Sequence, residues 1–438
     1  MIEMEKLVNF CKSRGFIYSG SEIYGGLANS WDYGPLGVEL KNNIKAAWWK
    51  KFVTSRLDMV GIDAALIMNP KVWEASGHVA TFTDPLVECK QCHERFRADQ
   101  IDLTKPCGNC GTKESFTEPA AFNMMLKTWL GAKQEAAALA YLRPETAQAM
   151  FVNFANVVRT ERMRLPFGIA QSGKAFRNEI TPGNFIFRQR EFELMEFEYF
   201  VSPDSWEKSF DYWLGQMHEW VTECGIDQSK VHEVEIPDGD RAHYSKRTID
   251  LEFDYPFGRK ELYGLAYRGD FDLKSHAESS GKELLYTDPE TNEKITPHVI
   301  EPAFGVDRTF LAVMLSAYHE EEVEGEVRIV MRLPVHLAPV KIAVLPLSKK
   351  TELSAVSLAL AERLAKRWRT NHQTSQSIGK RYRREDEIGT PFCITVDFDT
   401  LGEGEVNLKD TVTVRERDSM KQDRVLIVDL EKYLEARL

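Results

Sequence analysis

Apolar residues near the N-terminus recur at the three- and four-residue spacing of a helix. This spacing predicts an amphipathic helix over residues 1–14 that stops at Gly15, and a longer helix over 38–54 after a turn-rich stretch of Gly and Asn. Core packing is the first interpretation of the apolar stripe on the longer helix. A subunit interface is the alternative, because the adjacent Trp48 and Trp49 point about 100° apart and cannot both face one core.

The middle of the chain has the pattern of a strand-rich region between helices. A polar segment, 76–118, interrupts the periodicity and is typical of an insertion. This order predicts an α+β fold in which an antiparallel sheet is flanked by helices. The other predicted elements are a helical region 121–165, strands 166–200, a helix 203–224, short strands 231–270, a polar hairpin 281–296 and an apolar helix 306–319.

Two prolines at 334–339 mark a linker and a shift in composition. Beyond them the chain alternates strands and helices over about 100 residues, a usual domain size, which predicts a compact α/β unit. We therefore expect two domains, 1–335 and 338–438. Within the second domain the pattern predicts helices over 352–369, 380–388 and 425–438, with strands before and between them.

The chain has 438 residues, of which 43% are hydrophobic and 28% are charged. These fractions are typical of a globular protein and exclude a disordered or collagen-like chain. No apolar run approaches the ~20 residues of a membrane helix, and the N-terminal MIEMEKLVNFCKSRG lacks the regions of a secretory signal. We expect a cytoplasmic protein with no membrane partner.

The formal net charge of −11 argues against a non-specific polycation for nucleic acid, and we expect no DNA partner. Two basic clusters, 361–369 and 380–384, stand out against that charge. A solvated helix face and an RNA-binding face are both open for them. In the second interpretation, Tyr382 and Phe392 could stack on RNA bases. The basic side chains are Arg363, Lys366, Arg367, Arg369, Lys380, Arg381, Arg383 and Arg384.

Four of the seven cysteines form two CxxC pairs separated by fourteen residues, Cys89/Cys92 and Cys107/Cys110. This spacing is typical of a closed, structural Cys₄ zinc site, and glycines beside the second pair permit the tight turn that such a site needs. A ribbon that has lost its metal, or a pair of disulfides, is the alternative. The three scattered cysteines are most simply buried thiols.

Residues 176–200 have the pattern of two strands around a TPGNF loop. Side chains alternate between the two faces of a strand, so Met195, Phe197 and Tyr199 are expected to face a core. The opposite face combines arginines, an aromatic ring and carboxylates, which an ordinary solvent-facing strand could also present. Its residues are Arg188, Arg190, Phe192, Leu194, Glu196 and Glu198.

These strings resemble a known family. FRNE, a short loop and RxxxF are similar to motif 2 of class II aminoacyl-tRNA synthetases, GVDR at 305–308 resembles motif 3, and the turn containing Pro35 resembles motif 1. KRYRREDEIGTPFCITVDFD resembles an anticodon-binding domain. The resemblance covers nearly the whole chain and is to the dimeric, α2-type glycyl-tRNA synthetases of the bacterial kind. The strings that carry it are WDYGPLGVELKNNI (31–44), LRPETAQ (142–148), FRNEITP (176–182), REFELMEFEYF (190–200) and EPAFGVDR (301–308).

The resemblance implies a catalytic domain at 1–335 with a zinc-binding insertion at 76–118, an anticodon-binding domain at 338–438, and activation of glycine by ATP with Mg²⁺. Negative charge develops on the α-phosphate in that reaction, and fixed guanidinium groups stabilise it. The implied catalytic residues are Arg177, at the α-phosphate, and Arg308, at the γ-phosphate. The implied ATP-binding residues are Arg177, Asn178, Glu179, Phe187, Arg188, Gln189, Arg190, Glu191, Phe192, Glu261, Leu262, Gly305, Val306, Asp307 and Arg308.

A pocket for glycine has to hold an ammonium group, which suits carboxylates, and has to exclude a β-carbon. The family has Glu-Pro-Ser after the motif 3 strand, whereas this chain has Ala303 in place of the serine, so one glycine contact is in doubt. By resemblance, Glu261 and Glu301 hold Mg²⁺ or substrate groups. The implied glycine-binding residues are Arg97, Glu145, Phe192, Glu193, Leu194, Met195, Glu196, Glu301, Pro302, Ala303, Phe304 and Gly305.

We therefore expect a homodimeric glycine–tRNA ligase with ATP, glycine and tRNA(Gly) as partners. The alternative is a synthetase-like accessory protein that binds nucleic acid without ligation. Such a protein would not need Arg177, Phe192 and Arg308 together. A ligase for another small amino acid is disfavoured by the RPETAQ and EPAFG strings, although Ala303 keeps it open.

Overall fold

The N-terminal helix forms where the apolar spacing predicts it. In a computed structural model that describes residues 2–133, 138–323, 325–404 and 408–438, this helix spans Met4–Arg14 and buries Leu7, Phe10 and Cys11. It ends at Gly15, whose positive φ of 81° is a backbone conformation that glycine adopts without strain.

The elements of the first 331 residues follow the predicted order of helices around strands. Their helices are α1 Met4–Arg14, α2 Pro35–Trp49, α3 Pro70–Ala75, α4 His78–Thr81, α5 Ala147–Val152, α6 Phe154–Glu161, α7 Trp206–Glu223, α8 Phe271–Ser280 and α9 Val306–Ala317. Their strands are β1 Ile17–Ser19, β2 Trp31–Tyr33, β3 Met59–Gly61, β4 Thr83–Glu88, β5 Arg95–Arg97, β6 Ala120–Asn123, β7 Lys127–Trp129, β8 Leu139–Tyr141, β9 Phe167–Phe176, β10 Glu191–Val201, β11 Val231–Glu235, β12 Arg247–Tyr255, β13 Gly258–Gly269, β14 Tyr286–Thr287, β15 Lys294–Ile295, β16 His298–Gly305, β17 Tyr318–Val323 and β18 Glu326–Met331.

A seven-stranded sheet in the order β11-β12-β13-β16-β10-β9-β3 forms the centre of this part. Its neighbouring strands are antiparallel except for the edge pair of β3 and β9, which confirms the predicted antiparallel sheet. One large core, which includes Trp48, Phe52, Trp213 and Trp220, joins the sheet to α2, α7 and α9. A second core, around Phe154, joins the sheet to α5, α6 and α8. The sheet is therefore covered by helices on both faces.

The adjacent tryptophans of α2 are both accommodated within the chain. Trp48 is fully buried, and the ring of Trp49 packs so closely on Gly61 that a β-carbon there would lie 2.2 Å from it. Core packing therefore accounts for both rings, although Trp49 stays half-buried, and a subunit interface at this helix stays a prediction.

The segment that follows the predicted insertion is not helical at first. Strands β4, β5 and β6 form a three-stranded sheet, and β7 pairs with β8, so helix begins only at Ala147. The helical prediction for 121–165 is wrong over its first half, because these short strands lie at edges where pairing with a neighbour overrides local spacing. Residues 134–137 of that prediction lie outside the described residues.

The last hundred residues form a separate five-stranded sheet, in the order β20-β19-β21-β22-β23. The prediction of one helix over 425–438 is wrong, since Val425 lies in a strand that pairs with β22. The elements are β19 Ile342–Pro346, α10 Thr351–Leu364, β20 Thr370–His372, α11 Ile378–Ile388, β21 Phe392–Val396, β22 Thr411–Glu416, β23 Gln422–Leu426 and α12 Leu430–Glu435.

A buried ion network joins this C-terminal unit to the rest of the chain. Asp386 on α11 is fully buried and accepts from Arg328 on β18 at 2.9 Å and from Arg415 on β22 at 2.8 Å. The predicted linker packs beside the network: Leu333 is buried, and its carbonyl accepts from Arg417 at 2.8 Å. The two parts are thus held by desolvated charges as well as by the chain.

Within the ranges that the structure describes, no helix is both long enough and apolar enough to cross a membrane.

Replacing Asp386 by Asn should destabilise the contact between the two parts. The amide cannot neutralise the guanidinium groups of Arg328 and Arg415, and breaking a buried ion pair costs about 3–5 kcal/mol. Thermal unfolding measured by calorimetry should show a lower midpoint. Glu435→Gln is the control, because Glu435 pairs with Arg367 on the exposed surface and should leave the midpoint unchanged. Equal midpoints for the two variants would contradict the role of the network.

Candidate active site

A cavity of about 580 Å³ opens on the central sheet, between β10, β13 and β16 on one side and β4 and β5 on the other. Its volume is in the usual range for a small-molecule site. It brings together residues that are far apart in the sequence. The predicted site residues that line it are Arg97, Glu145, Arg177, Glu179, Phe187, Arg188, Gln189, Phe192, Glu193, Leu194, Glu196, Glu261, Leu262, Glu301, Ala303, Gly305, Asp307 and Arg308.

Seven predicted site residues lie outside this lining. Met195 and Phe304 belong to the large hydrophobic core, because alternate residues of a strand point to opposite faces of the sheet, and Val306, the first residue of α9, packs in the same core. Glu191 is exposed and pairs with Lys174. The other three are Asn178, Arg190 and Pro302.

Arg177 follows β9 and presents an unpaired cation to the cavity. Its Nε donates to the carbonyl of Pro144 at 3.1 Å, and its guanidinium lies 5.2 Å from the ring centre of Phe192 and 5.4 Å from that of Phe82. Among the described residues, no carboxylate lies within ion-pair distance of Arg177. The charge is therefore available to an anionic ligand.

Arg308 reaches the cavity from the first turn of α9. Its Nη1 lies 3.0 Å from an oxygen of Glu261, and its guanidinium stacks 4.5 Å from the ring centre of Phe187. The nearby Arg308 cation lowers the pKa of Glu261. Asp250, which sequence analysis did not single out, lies in the same wall, and burial together with Glu261 raises its pKa to about 7.

A cluster of carboxylates surrounds one fully buried guanidinium at the other end of the cavity. Arg268 pairs with Asp272 at 2.7 Å and with Glu301 at 2.9 Å, and its guanidinium lies 3.6 Å from the ring centre of Tyr244. Glu301 was predicted from the sequence, whereas Arg268, Asp272 and Tyr244 were not. Arg268 ends β13 and Asp272 begins α8, and a strand–helix junction has no periodic pattern that would reveal such a pair.

Two further glutamates of the cluster are held by neutral donors and by a histidine. Glu145 lies 3.2 Å from His78 and accepts from Gln148 at 2.9 Å, and Glu196 accepts from the peptide N–H of Thr146 at 2.7 Å. Burial raises the pKa of Glu145, but the neighbouring His78 outweighs this effect and holds the pKa below its usual value.

The pKa of Glu301 is shifted in the opposite direction from that of Glu145. Burial, with the negative charges of Glu196 and Glu145, raises the pKa of Glu301 to about 8 in spite of Arg268. The cluster thus carries more carboxylates than Arg268 can neutralise. It offers a desolvated environment that favours a small cation.

The predicted insertion contributes to the mouth of the cavity. Arg97 on β5 pairs with Asp84 on β4 at 2.7 Å and with Asp99 at 2.8 Å. Burial raises the pKa of Asp84. Arg188 lies 4.0 Å from Glu179, whose pKa burial also raises. The mouth therefore combines fixed cations with partly desolvated carboxylates.

The two CxxC pairs come together at the far end of the β4–β5 pair. The four sulfur atoms of Cys89, Cys92, Cys107 and Cys110 lie within 4.8 Å of one another. The Cys89–Cys110 and Cys92–Cys107 sulfur distances are 3.7 Å and 3.8 Å, too long for disulfides and close to the ~3.8 Å edge of a tetrahedron with 2.3 Å zinc–sulfur bonds. The cluster could therefore hold a metal ion.

Several cations that the sequence assigned to an RNA face are used inside the C-terminal unit. Arg363 and Arg367 pair with Glu431 on α12, at 3.1 Å and 3.4 Å. Arg381 is buried and donates to the carbonyl of Pro346 at 2.8 Å. Arg363 and Arg367 stay exposed, whereas Arg381 lies where neighbouring elements pack, which the local sequence does not reveal.

The two rings proposed for base stacking are also engaged. Phe392 is buried in the core of the unit. The hydroxyl of Tyr382 bonds to Thr395, and the guanidinium of Arg415 lies 4.9 Å from its ring centre. The prediction that the ring faces RNA is therefore wrong for Phe392, and for the half-buried Tyr382 it stays a prediction. Lys366, Arg369, Lys380 and Arg384 are exposed.

Known proteins resemble the chain along its whole length. The family model described as "tRNA synthetase class II core domain (G, H, P, S and T)" matches residues 131–318, and the model described as "Anticodon binding domain" matches 341–437. The chain is 51% identical over 459 residues to a protein of Streptomyces coelicolor named glycine–tRNA ligase, covering 100% of this chain and 98% of that protein. Proteins of the same name from Caldanaerobacter subterraneus and Thermobifida fusca are each 50% identical, covering 100% and 99% of this chain and 99% and 98% of their own lengths.

Replacing Glu301 by Gln should change how stability depends on pH. A carboxyl whose pKa is raised from 4.5 to about 8 on folding contributes stability below pH 4.5 that is lost as the pH rises through 8. Between these values the free energy of unfolding of the unchanged protein should fall relative to that of Glu301→Gln, by up to about 1.4 kcal/mol per pH unit. Urea unfolding at pH 5.5, 7 and 8.5 measures this difference. A constant difference across that range would contradict the assignment.

Proposed function

The chain belongs to the glycine–tRNA ligase family of class II aminoacyl-tRNA synthetases, and from this premise we propose that it activates glycine with ATP and transfers it to the 3′ end of tRNA(Gly). The observation that supports the proposal is the distribution of charge between the two ends of the cavity. Two arginines on different elements face one end, and an excess of buried carboxylates surrounds the other. One end suits a triphosphate and the other suits an ammonium group.

Activation requires the glycine carboxylate to attack the α-phosphate of ATP while pyrophosphate leaves. The attacking group is already an anion, so no general base is required. The unpaired guanidinium of Arg177 is proposed to stabilise the charge that develops on the α-phosphate oxygens. Arg308, at the positive end of α9, is proposed to hold the γ-phosphate, and the half-buried ring of Phe192 to stack on adenine. Catalysis then depends on position and electrostatics.

Mg²⁺ neutralises a bound triphosphate and prefers carboxylate oxygens. We propose that Glu261 holds this ion together with Asp250, since both line the phosphate end of the cavity. The second predicted magnesium ligand, Glu301, pairs with Arg268 and lies in the carboxylate cluster. Its position supports a role toward glycine instead.

The carboxylate cluster is proposed to bind the ammonium group of glycine. Glu145, Glu196 and Glu301 line the cavity, and charge-assisted hydrogen bonds from an ammonium group would replace the water lost on burial. Ala303 lies in the floor directly opposite Gly264. It supplies no hydroxyl, so the proposed pocket binds the ammonium group by charge and selects glycine by its small volume.

The C-terminal unit, 338–438, is proposed to bind the anticodon arm of tRNA(Gly). Support comes from the family model for this region and from the exposed cations Lys366, Lys380 and Arg384, which could contact phosphates. The alternative, an accessory protein without ligase activity, is less favoured, because it would not need an unpaired Arg177 beside Arg308 in one cavity.

A cytoplasmic homodimer remains part of the proposal. Its support is the resemblance to dimeric relatives and a group of exposed apolar side chains before α2. Ile23, Tyr24 and Leu27 are 89%, 86% and 66% exposed, which is unusual for large apolar residues in a monomer.

We propose that the cluster of Cys89, Cys92, Cys107 and Cys110 binds one structural zinc ion. Four thiolates fill a tetrahedral site and leave no open position for catalysis. The thiolates would join the ends of β4 and β5 and so support the part of the insertion that reaches the cavity.

Protein purified without chelators should contain one zinc ion per chain by elemental analysis. Cys107→Ser should lose the metal and lower the thermal midpoint, because binding free energy at such a site is folding free energy. Cys393→Ala, which removes a cysteine of the C-terminal core, should keep one zinc ion per chain. A metal-free native protein with disulfides in the cluster would contradict the proposal.

The function is tested by ATP–pyrophosphate exchange with glycine, alanine and serine. Glycine should support exchange, and the other two should not, because their β-carbon has no space in a filled pocket. An exchange rate that does not depend on glycine, or an equal rate with alanine, would contradict the proposed function.

Arg177→Ala and Arg308→Ala should each lower glycine-dependent exchange by roughly 10²–10³, since one electrostatic donor at the reacting phosphate contributes about 3–4 kcal/mol. Arg259→Ala is the control, because Arg259 lies on β13 but pairs with Asp254 outside the cavity. It should exchange like the unchanged protein. Near-normal exchange by either of the first two variants would show that its role is wrong.

A further inference from the structure

The carboxylate of Asp307 links α9, on which it lies, to β10 and to β2, and α9 and β10 carry different walls of the cavity. Oδ2 accepts from the peptide N–H of Glu193 on β10 at 2.9 Å, and Oδ1 accepts from the hydroxyl of Tyr33 on β2. The side chain of Asp307 is 5% exposed, so little water competes for these bonds. Through them the first turn of α9 is tied to β10 and to the segment that precedes α2.

Lys41 on α2 adds a shared cation to this arrangement. Its Nζ lies 2.6 Å from Oε2 of Glu193, 3.8 Å from Oδ1 of Asp307 and 4.2 Å from the ring centre of Tyr33. Lys45, one turn further along α2, pairs with the other oxygen of Glu193 and makes no ion pair with Asp307. Both lysines therefore pair with Glu193, and Lys41 in addition lies within ion-pair distance of Asp307.

The bonded residues are the chain neighbours of two proposed ATP contacts. Glu193 follows Phe192, and Asp307 precedes Arg308. The Cα atoms of Phe192 and Arg308 therefore each lie about 3.8 Å from the Cα atom of a residue in the Glu193–Asp307 hydrogen bond. A change in the distance between Glu193 and Asp307 must therefore move the aromatic wall relative to the cationic wall.

We propose that Asp307 and Lys41 are positioning residues that set the spacing between Phe192 and Arg308. This inference rests on the proposed function, in which these two residues contact ATP. In this proposal Asp307 holds α9 against β10 and does not itself contact the nucleotide.

The physical reason is the charge balance of a nearly desolvated group. Glu193 and Asp307 are both carboxylates, and Lys41 is the cation between them. Burial raises the pKa of Glu193, but Lys41 and Lys45 outweigh this effect and lower the pKa, which keeps that carboxylate ionised. Without Lys41 the two carboxylates would repel each other, and the bond from the Glu193 N–H to Asp307 would lengthen.

Equilibrium binding of ATP, measured by calorimetry without amino acid, tests the inference in the full-length protein. Lys41→Met keeps the length of the side chain and removes its charge, and it should weaken ATP binding about ten-fold. Asp307→Asn should weaken it similarly, because the amide offers one acceptor oxygen to two donors. Lys41→Arg should restore binding to within about two-fold. Lys45→Met is the matched control and should also stay within about two-fold.

The comparison of Lys41→Met with Lys45→Met separates positioning from stability. Both variants lose one ion pair to Glu193, so a purely structural role predicts equal effects on ATP binding. A double variant of Lys41→Met and Asp307→Asn should bind ATP about as weakly as either single variant, because the residues act as one unit. If Asp307→Asn does not fold, the two lysine variants still decide the question.

Two results would overturn the inference: unchanged ATP binding by Lys41→Met, or an equal loss for Lys45→Met. These outcomes are distinct from failure of the proposed function. A protein that binds ATP but shows no glycine-dependent exchange would contradict the ligase proposal, while the lysine comparison would still report on positioning. A protein that binds no ATP would contradict both.

Discussion

The buried charge of Arg268 makes the interior of the catalytic part possible. A guanidinium with no exposed surface pairs with Asp272 and Glu301, while Glu196 lies close by in the same cluster. Removing one such cation would leave several carboxylates desolvated and mutually repulsive. The strands β10, β13 and β16 can carry acidic side chains on their inner face because this cation lies among them. Burial, together with the negative charges of Glu196 and Glu145, raises the pKa of Glu301 within the same cluster.

Much of the fold could be predicted where one face of an element is buried. Helices α1, α7 and α9 and the strands of the central sheet bury long apolar stripes, and their spacing shows in the sequence. The elements that were missed are edge strands with little to bury. In β23, Val425 is the buried residue, and β7 buries none of its residues, so neither has an alternating apolar pattern. Their structure depends on the neighbouring strand, which a local reading of the sequence does not contain.

The same limit applies to the candidate site. Motif strings pointed to Arg177, Phe192 and Arg308, because each string has a distinctive local order. The partners that give these residues their charge state come from remote segments, and no local pattern pairs Glu145 with His78. The resemblance implied that Met195 binds glycine, but side-chain alternation along β10 places Met195 with Phe197 on the core side, as the structure shows. Predicting the site required contacts between strands that only the fold supplies.

The distribution of basic residues shows why a local count of charge is a poor guide to an RNA surface. Arg381 is buried and satisfies backbone carbonyls, so its guanidinium group is committed to the fold of the C-terminal unit, and Arg363 and Arg367 pair with Glu431 on α12 at the exposed surface. A committed guanidinium has already exchanged its water for protein partners, and an RNA phosphate would have to displace them. The exposed cations are fewer and stand on a chain with a net charge of −11. Long-range attraction to RNA is therefore weak, and stable binding requires several contacts made at once, which favours an RNA whose shape fits the surface over any other polyanion.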